Sequence, residues 1–254
     1  MGRIKEAYRA SLKQKDNFWT EVLTRPVAAV FLVGLERTPI TPNQVTFLSF
    51  FVEWIAIALL VLWRDWPGLV AAAVVLQLSY VFDCVDGQLA RLRGIPSPIG
   101  HLLDFLMDEL KAFLVLGAIA TRLYLVHGGA EYLLLGLWGL VAVASGISLT
   151  TFLRRPEYLA TAPAPATPAT PAAAAPVPAP PARRSPLGWL IFGAERFARF
   201  LIHYPSWFFY VAIFDQLDLF FFVFVGVHTL YLARAFLSVV RRLGRFGFVP
   251  PRPA

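Results

Sequence analysis

Runs of about twenty apolar residues dominate this chain, and each such run fits one helical crossing of a bilayer. Asn43–Trp63 is 21 residues long with a single charge, Glu53, and begins after the turn signals Pro39 and Pro42. Trp66–Phe82 is uncharged and runs on into a polar stretch that ends near Arg91. Pro98–Leu125 has an acidic first half and an apolar second half, and Tyr132–Leu153 is 22 residues without charge. Pro205–Phe214 and Leu219–Val240 are separated by Asp215 and Asp218, and Phe197–Tyr204 lengthens the first of them. The count is six, with the ends of the fifth the least defined. Composition agrees, since 57% of the 254 residues are hydrophobic and 15% charged, against roughly half and a quarter in soluble proteins. A water-soluble enzyme, a secreted disulfide scaffold and a disordered tail are excluded. Cys84, the single cysteine, excludes intrachain disulfides and a cysteine-based zinc site.

The expected fold is therefore an all-α integral membrane protein of six transmembrane helices, preceded by an interfacial amphipathic helix. Ile4, Tyr8 and Leu12 recur at helical spacing, while Arg3, Lys5, Arg9, Lys13 and Lys15 form the polar side. That pattern suits the surface of an anionic leaflet. No apolar core of useful length follows the first basic residues, so the segment does not read as a signal peptide. Val27–Leu35 is apolar but too short to span.

Between the fourth and fifth spans, residues 161–182 contain only Ala, Pro, Thr and Val, with eight prolines. Such a stretch favours solvated polyproline II and reads as a linker. The chain divides into a juxtamembrane region (1–36), four helices with the polar motif (37–153), an Ala/Pro-rich loop (154–186), two further helices (187–245) and a tail (246–254). Net charge is +7. The N-terminus, Arg91, Arg93, Arg154, Arg155, Arg183, Arg184, Arg241, Arg242 and Arg245 all fall on one side of six helices, with only Arg64 and Arg122 opposite. The positive-inside bias makes the first side, and both termini, cytoplasmic in a prokaryotic inner membrane. Nucleic acid is not an expected partner, because no basic block alternates with stacking aromatics.

Asp83, Asp86, Asp104 and Asp108 sit in or beside apolar runs, where an uncompensated carboxylate costs several kcal/mol. At 3.6 residues per turn, Asp83, Asp86, Gly87 and Ala90 share one helical face, and Gly100, Asp104, Asp108 and Lys111 share a face of the next helix. A loop containing Arg93, Gly94, Pro96 and Pro98 folds the second helix back on the first, so the four carboxylates converge at the cytoplasmic end. Converging carboxylates repel unless a cation neutralises them. All-oxygen ligation suits Mg2+ or Mn2+, and four carboxylates suit two ions. Gly87 and Ala90 leave a slot for a flat or phosphorylated ligand, and Arg91 is placed for its phosphate. Metal clamps on a diphosphate, a slot and a spare carboxylate as base are what phosphoryl-group transfer needs. A cation or proton pathway, or ion pairing between helices, would use carboxylates too, but ion pairing would not require small residues at Gly87 and Ala90.

The string Asp83-x2-Asp86-Gly87-x2-Ala90-Arg91-x8-Gly100-x3-Asp104-x3-Asp108 resembles the signature of the CDP-alcohol phosphotransferases, membrane enzymes of phospholipid synthesis. Thr41-Pro42-Asn43-Gln44-Val45-Thr46 resembles the segment that opens their first transmembrane helix. The resemblance covers residues 37–125 by motif. It implies a six-helix bundle, usually a homodimer, with a polar cavity facing the cytoplasm. It also implies divalent metal on the four aspartates, with Asp108 doubling as general base. The CDP group would lie against Asp83, Gly87, Ala90, Arg91 and Gly100. The expected reaction moves a substituted phosphate from a CDP-alcohol, such as CDP-diacylglycerol or a related lipid-pathway donor, to an acceptor alcohol with release of CMP. Alternatives are the same chemistry with a soluble polyol-phosphate acceptor, and a cation transporter using the carboxylates.

Two departures stand out: Glu109 follows Asp108 where many relatives have Arg, a change that bears on acceptor charge preference, and Glu53 sits inside the first span, where snorkelling, pairing with a neighbouring helix and lining the cavity are open alternatives. Lys111, Arg154, Arg155 and Arg234 are candidates for the acceptor side, although basic residues there also serve topology. His101 is a candidate second base or a loop histidine. His127, His203 and His228 show no metal-ligand spacing.

Overall fold

The computed structural model describes residues 24–155 and 200–243 continuously, with Arg3, Glu6, Tyr8, Thr20, Gly188, Trp189, Gly193 and Phe197 singly. Every regular element among them is helical: α1 (Arg25–Leu35), α2 (Pro42–Leu62), α3 (Trp66–Leu92), α4 (Pro98–His127), α5 (Ala130–Phe152), a 3-10 turn (Tyr204–Ser206), α6 (Phe208–Ile213) and α7 (Leu217–Leu243). Apart from Arg3, Glu6 and Tyr8, the expected amphipathic helix over the first residues lies outside the described residues, as do the Ala/Pro-rich segment 161–182 with Arg183 and Arg184, and Arg245 with the tail.

Among the described residues, four helices are long and apolar enough to cross a membrane: α2, α3, α5 and Leu217–Arg241 of α7. Helix α4 reaches 30 residues and carries Asp104, Asp108, Glu109 and Lys111 in its first half. The expected fifth span differs most from a simple crossing. His203 interrupts the helix, Pro205 lies in the 3-10 turn, and α6 is only six residues long. Proline lacks the N–H that an α-helix needs in its interior, and six residues rise about 9 Å at 1.5 Å each. Helix α1, with 11 residues, is likewise too short to span.

Local chemistry sets the helix ends. Thr41 and Gln44 form a reciprocal capping box with Pro42 at the first turn of α2. Ser97 caps α4 through Gly100 N–H, again followed by proline, and Gly128 closes that helix in the left-handed region at φ 80°. Two arginines then pin the turns at opposite ends of the bundle. Arg93 donates to the carbonyls of Leu35 (2.8 Å), Thr38 (2.7 Å) and Ile40 (2.5 Å), tying the α1–α2 connection to the end of α3. Arg122, 4% exposed, donates to the carbonyls of Leu60 and Trp63 (both 2.8 Å), Arg64 (2.6 Å) and Asp65 (3.0 Å). It satisfies orphan carbonyls at the end of α2, which is why this cation sits on the side where the basic residues are sparse.

Helices α2 and α3 approach closely because small residues meet. Ser49 Oγ donates to Ser79 O at 2.8 Å and Ser79 Oγ donates to Ser49 O at 2.9 Å. Interhelical hydroxyl bonds of this kind hold helices together where lipid removes the hydrophobic drive. Gly136 of α5 packs against α4, where a Cβ would come within 2.4 Å of the Ala120 Cβ. The main apolar core joins Ala56, Leu60, Leu69, Leu76, Leu116 and Ile119 to Phe208, Phe220 and Phe221. Phe220 anchors it, with ring centroids 4.3 Å from Trp207 and 5.0 Å from Phe208. This core fixes the halves of α3 and α4 that carry no carboxylates, and so sets their polar halves face to face.

Candidate active site

At the α3–α4 end of the bundle the polar residues collect into two adjoining cavities. The turn from Arg93 to Ser97, with Gly94 at φ 66°, reverses the chain so that the aspartates of α3 and α4 face one another. Carboxylate oxygens of Asp83, Asp104 and Asp108 lie within 4.8 Å of one another. The Lys111 ammonium binds Asp83, donates to Ser49 Oγ at 2.8 Å and lies 3.9 Å from Asp108. Asp86 is outside this 4.8 Å group. It is 5% exposed and accepts from Thr46 Oγ1 at 2.5 Å. The face reading thus brings three of the four aspartates together and gives the fourth a hydroxyl partner from α2.

The first cavity, about 460 Å³, is lined by Asp86, Gly87, Ala90, Arg91, Gly100 and Asp104, together with Thr41, Asn43, Thr46 and His101. Every motif residue except Asp83 and Asp108 therefore opens onto it. Its small residues are close to their neighbours. A Cβ on Gly87 would sit 3.3 Å from the Arg91 guanidinium, and one on Gly100 would sit 3.1 Å from Ser97 Oγ. The space beside Gly87 is a slot into which Arg91 folds.

The second cavity, about 580 Å³, lies on the other side of Asp108. Asp108, Glu109 and Lys111 open onto it, with Glu53, Ser79 and Tyr80 from α2 and α3 and Arg154, His203, Tyr204 and His228 beyond. Of the four acceptor candidates, Lys111 and Arg154 line this cavity. Arg155 lines neither cavity, and Arg234 lines a separate groove of α7 with Leu237 and Arg241. Glu53, unassigned from sequence, is 1% exposed and accepts from the Tyr204 hydroxyl at 3.3 Å.

Several contributors were given no role at the site from sequence, although Glu53 had lining the cavity among its alternatives. Thr46, Ser49 and Glu53 share a face of α2 at i, i+3 and i+7, a polar stripe in an apolar helix that could have been read as facing the site. Tyr204, His203 and His228 carry no such signal, because the chain break at Pro205 and the return of α7 bring them in. His203 Nδ1 contacts Ser206 Oγ at 2.5 Å, and His228 Nδ1 donates to Phe224 O at 2.9 Å. Neither takes part in the aspartate cluster.

Comparison with known proteins matches these features. The family model described as CDP-alcohol phosphatidyltransferase matches residues 39–179, which include α2 to α5 and both cavities' aspartates. A phosphatidylinositol phosphate synthase of Corynebacterium glutamicum is 32% identical over 99 residues, 39% of this chain and 42% of that protein. A bifunctional IPC transferase and DIPP synthase of Rubrobacter xylanophilus is 34% identical over 95 residues, 36% of this chain and 21% of that protein. One of the same description from Thermococcus kodakarensis is 36% identical over 85 residues, 32% of this chain and 18% of that protein. The chain spans less than half the length of each of these relatives. With the family model covering more than half of its residues and the aspartate string inside the match, the chain belongs to the CDP-alcohol phosphatidyltransferase family.

Proposed function

We propose that the chain transfers a substituted phosphate from a CDP-alcohol to an acceptor alcohol and releases CMP, within lipid synthesis. The observation that carries this reading is the trio Asp83, Asp104 and Asp108, with oxygens within 4.8 Å, beside a slot formed at Gly87 and Ala90. The donor set is all oxygen, which suits Mg2+ or Mn2+. Asp83, Asp104 and Asp108 would hold one ion, and Asp86, at the first cavity's wall, completes the expected set for two. Bound there, the metal supplies charge neutralisation for the diphosphate and for the leaving CMP.

The protein's own groups divide the remaining work. The first cavity takes the CDP group, with Gly87, Ala90 and Gly100 admitting it close to the backbone and Arg91 meeting phosphate. Asp83 adjoins the same diphosphate. Thr46 keeps Asp86 oriented. The second cavity takes the acceptor, and Asp108, which borders it, accepts the acceptor hydroxyl's proton. The freed oxygen attacks the phosphorus that bears the donor alcohol, and the bond to CMP breaks. Lys111 and Arg154 supply positive charge on the acceptor side, while Arg155 and Arg234 serve topology. Six crossings, with α4 and the broken segment around Pro205 joining the four apolar helices, complete the membrane fold. Both termini then face the cytoplasm in a prokaryotic inner membrane, and a homodimer is the assembly.

The test is CMP release by the purified chain in detergent with Mg2+, given a panel of CDP-alcohols and acceptors. Metal-dependent CMP with at least one pair is expected. No CMP with any pair, from protein that still binds CDP, would discard the reaction.

A further inference from the structure

Glu53 and its surroundings are not used by the chemistry above. It is a charged residue type at the middle of an apolar helix, where such residues are rare and face an interior or a functional cavity. Here it forms the inner wall of the second cavity. The carboxylate accepts from Tyr204 at 3.3 Å and is met by the Ser79 hydroxyl, whereas an ionised carboxylate offers about four acceptor positions. Glu109 adds a second carboxylate to the same cavity, and its Oε1 is buried with no hydrogen-bond partner. Buried acceptors left without donors cost free energy, so a ligand that brings donors is favoured.

The cations of the cavity are arranged differently. The Lys111 ammonium is committed to Asp83 and Ser49, on the aspartate side of the cavity. Arg154 is exposed and stands on the turn after α5. Ser79 and Tyr204 bring neutral hydroxyls to Glu53, and Lys111 is the cation that acts on it while held by Asp83. A phosphate pushed against that wall would meet the Glu53 and Glu109 carboxylates, with the Lys111 ammonium already bound to Asp83.

Resting on the assignment of this cavity to the acceptor, we propose that Glu53 is a specificity-determining residue. It selects acceptors that present a hydrogen-bond donor, a hydroxyl or an ammonium group, at the cavity's inner wall, and disfavours acceptors that present a phosphate there. Glu109 reinforces the same preference. Glu53 acts on acceptor choice, not on CDP binding or on proton removal from the reacting hydroxyl.

The experiment uses the full chain in detergent with Mg2+ and one CDP-alcohol that supports CMP release. Glycerol, glycerol 3-phosphate and ethanolamine are compared as acceptors for wild type, Glu53→Gln and Tyr204→Phe. Wild type should favour glycerol or ethanolamine over glycerol 3-phosphate in kcat/KM. Glu53→Gln should raise KM for the preferred acceptor by about ten- to a hundredfold, the loss of a hydrogen bond to a charged group. Its kcat and its KM for the CDP-alcohol should be unchanged. A larger loss with ethanolamine than with glycerol identifies the ammonium source, and equal losses identify the hydroxyl. Tyr204→Phe, which leaves the carboxylate in place, should keep the acceptor order.

A wild-type preference for glycerol 3-phosphate would overturn the proposal without any variant. So would a Glu53→Gln variant with unchanged acceptor KM. Either result leaves CMP release intact and so spares the transferase reading, whereas absence of CMP with every acceptor overturns both.

Discussion

Replacing Lys111 by Met removes the one ammonium that, among the described residues, lies inside the aspartate cluster. Lys111 is 4% exposed, binds Asp83 and lies 3.9 Å from Asp108. Breaking a buried ion pair by deleting one partner costs about 3–5 kcal/mol, because the other charge is left uncompensated. At roughly 2–4 °C per kcal/mol for a chain of this size, the midpoint of thermal unfolding should fall by roughly 6–20 °C in chelator. Divalent metal opposes the loss, since a cation on the same carboxylates stabilises the folded state by about 2.7 kcal/mol at a hundred times its Kd. Unfolding of the detergent-solubilised protein, followed by intrinsic tryptophan fluorescence, should therefore show a larger Mg2+-induced rise in midpoint for Lys111→Met than for wild type. A variant as stable as wild type in chelator, or one that gains nothing more from Mg2+, would refute the idea that Lys111 offsets a cation-binding cluster.

Other outcomes follow from single contacts. Gly87→Val places branched carbons where a Cβ already lies 3.3 Å from Arg91. CDP binding, measured by calorimetry, should weaken at least about tenfold, with the unfolding midpoint little changed. Arg122→Leu removes the guanidinium donor from the carbonyls of Leu60, Trp63 and Arg64 at the α2–α3 turn, while Asp65 O keeps the Leu69 N–H. A loss of about 1–3 kcal/mol for each group that stays dry is expected, read as a lowered midpoint with acceptor KM unaffected. Replacing residues 161–182 by a short Gly/Ser linker should leave CMP release within about twofold, since loop length changes closure free energy by about 0.6 kcal/mol per doubling. Loss of activity in both detergent and liposomes from folded protein would show instead that the segment reaches the cavity.

The helices and the aspartates were legible for the same reason: periodicity. Apolar runs near Asn43–Trp63 and Tyr132–Leu153 became α2 and α5 within one or two residues at each end, because little but lipid or core contacts those faces. The paired faces of α3 and α4 brought Asp83, Asp104 and Asp108 together, because a five-residue turn with Gly94 and Pro96 leaves few ways to fold back. Periodicity says nothing about partners across the bundle. Asp86 turned out to face Thr46 of α2, and Glu53 to face Tyr204, 151 positions away. Arg93 and Arg122 looked like topological charges, yet their guanidinium groups are spent on backbone carbonyls. A charge count cannot separate an arginine that faces lipid headgroups from one that closes a turn. The segment before α6 was ambiguous for a local reason, since Pro205 divides an apolar run that hydropathy alone would join.

The most direct test follows the oxygen of the acceptor. The purified chain is given Mg2+, a CDP-alcohol and an acceptor whose hydroxyl carries 18O, and both products are read by mass spectrometry. Direct transfer, with Asp108 taking the proton and CMP leaving, puts the label wholly in the new phosphodiester and leaves CMP unlabelled in equal amount. The same yield and labelling from an Asp83→Asn variant, or labelled CMP from wild type, would contradict the assignment of this site.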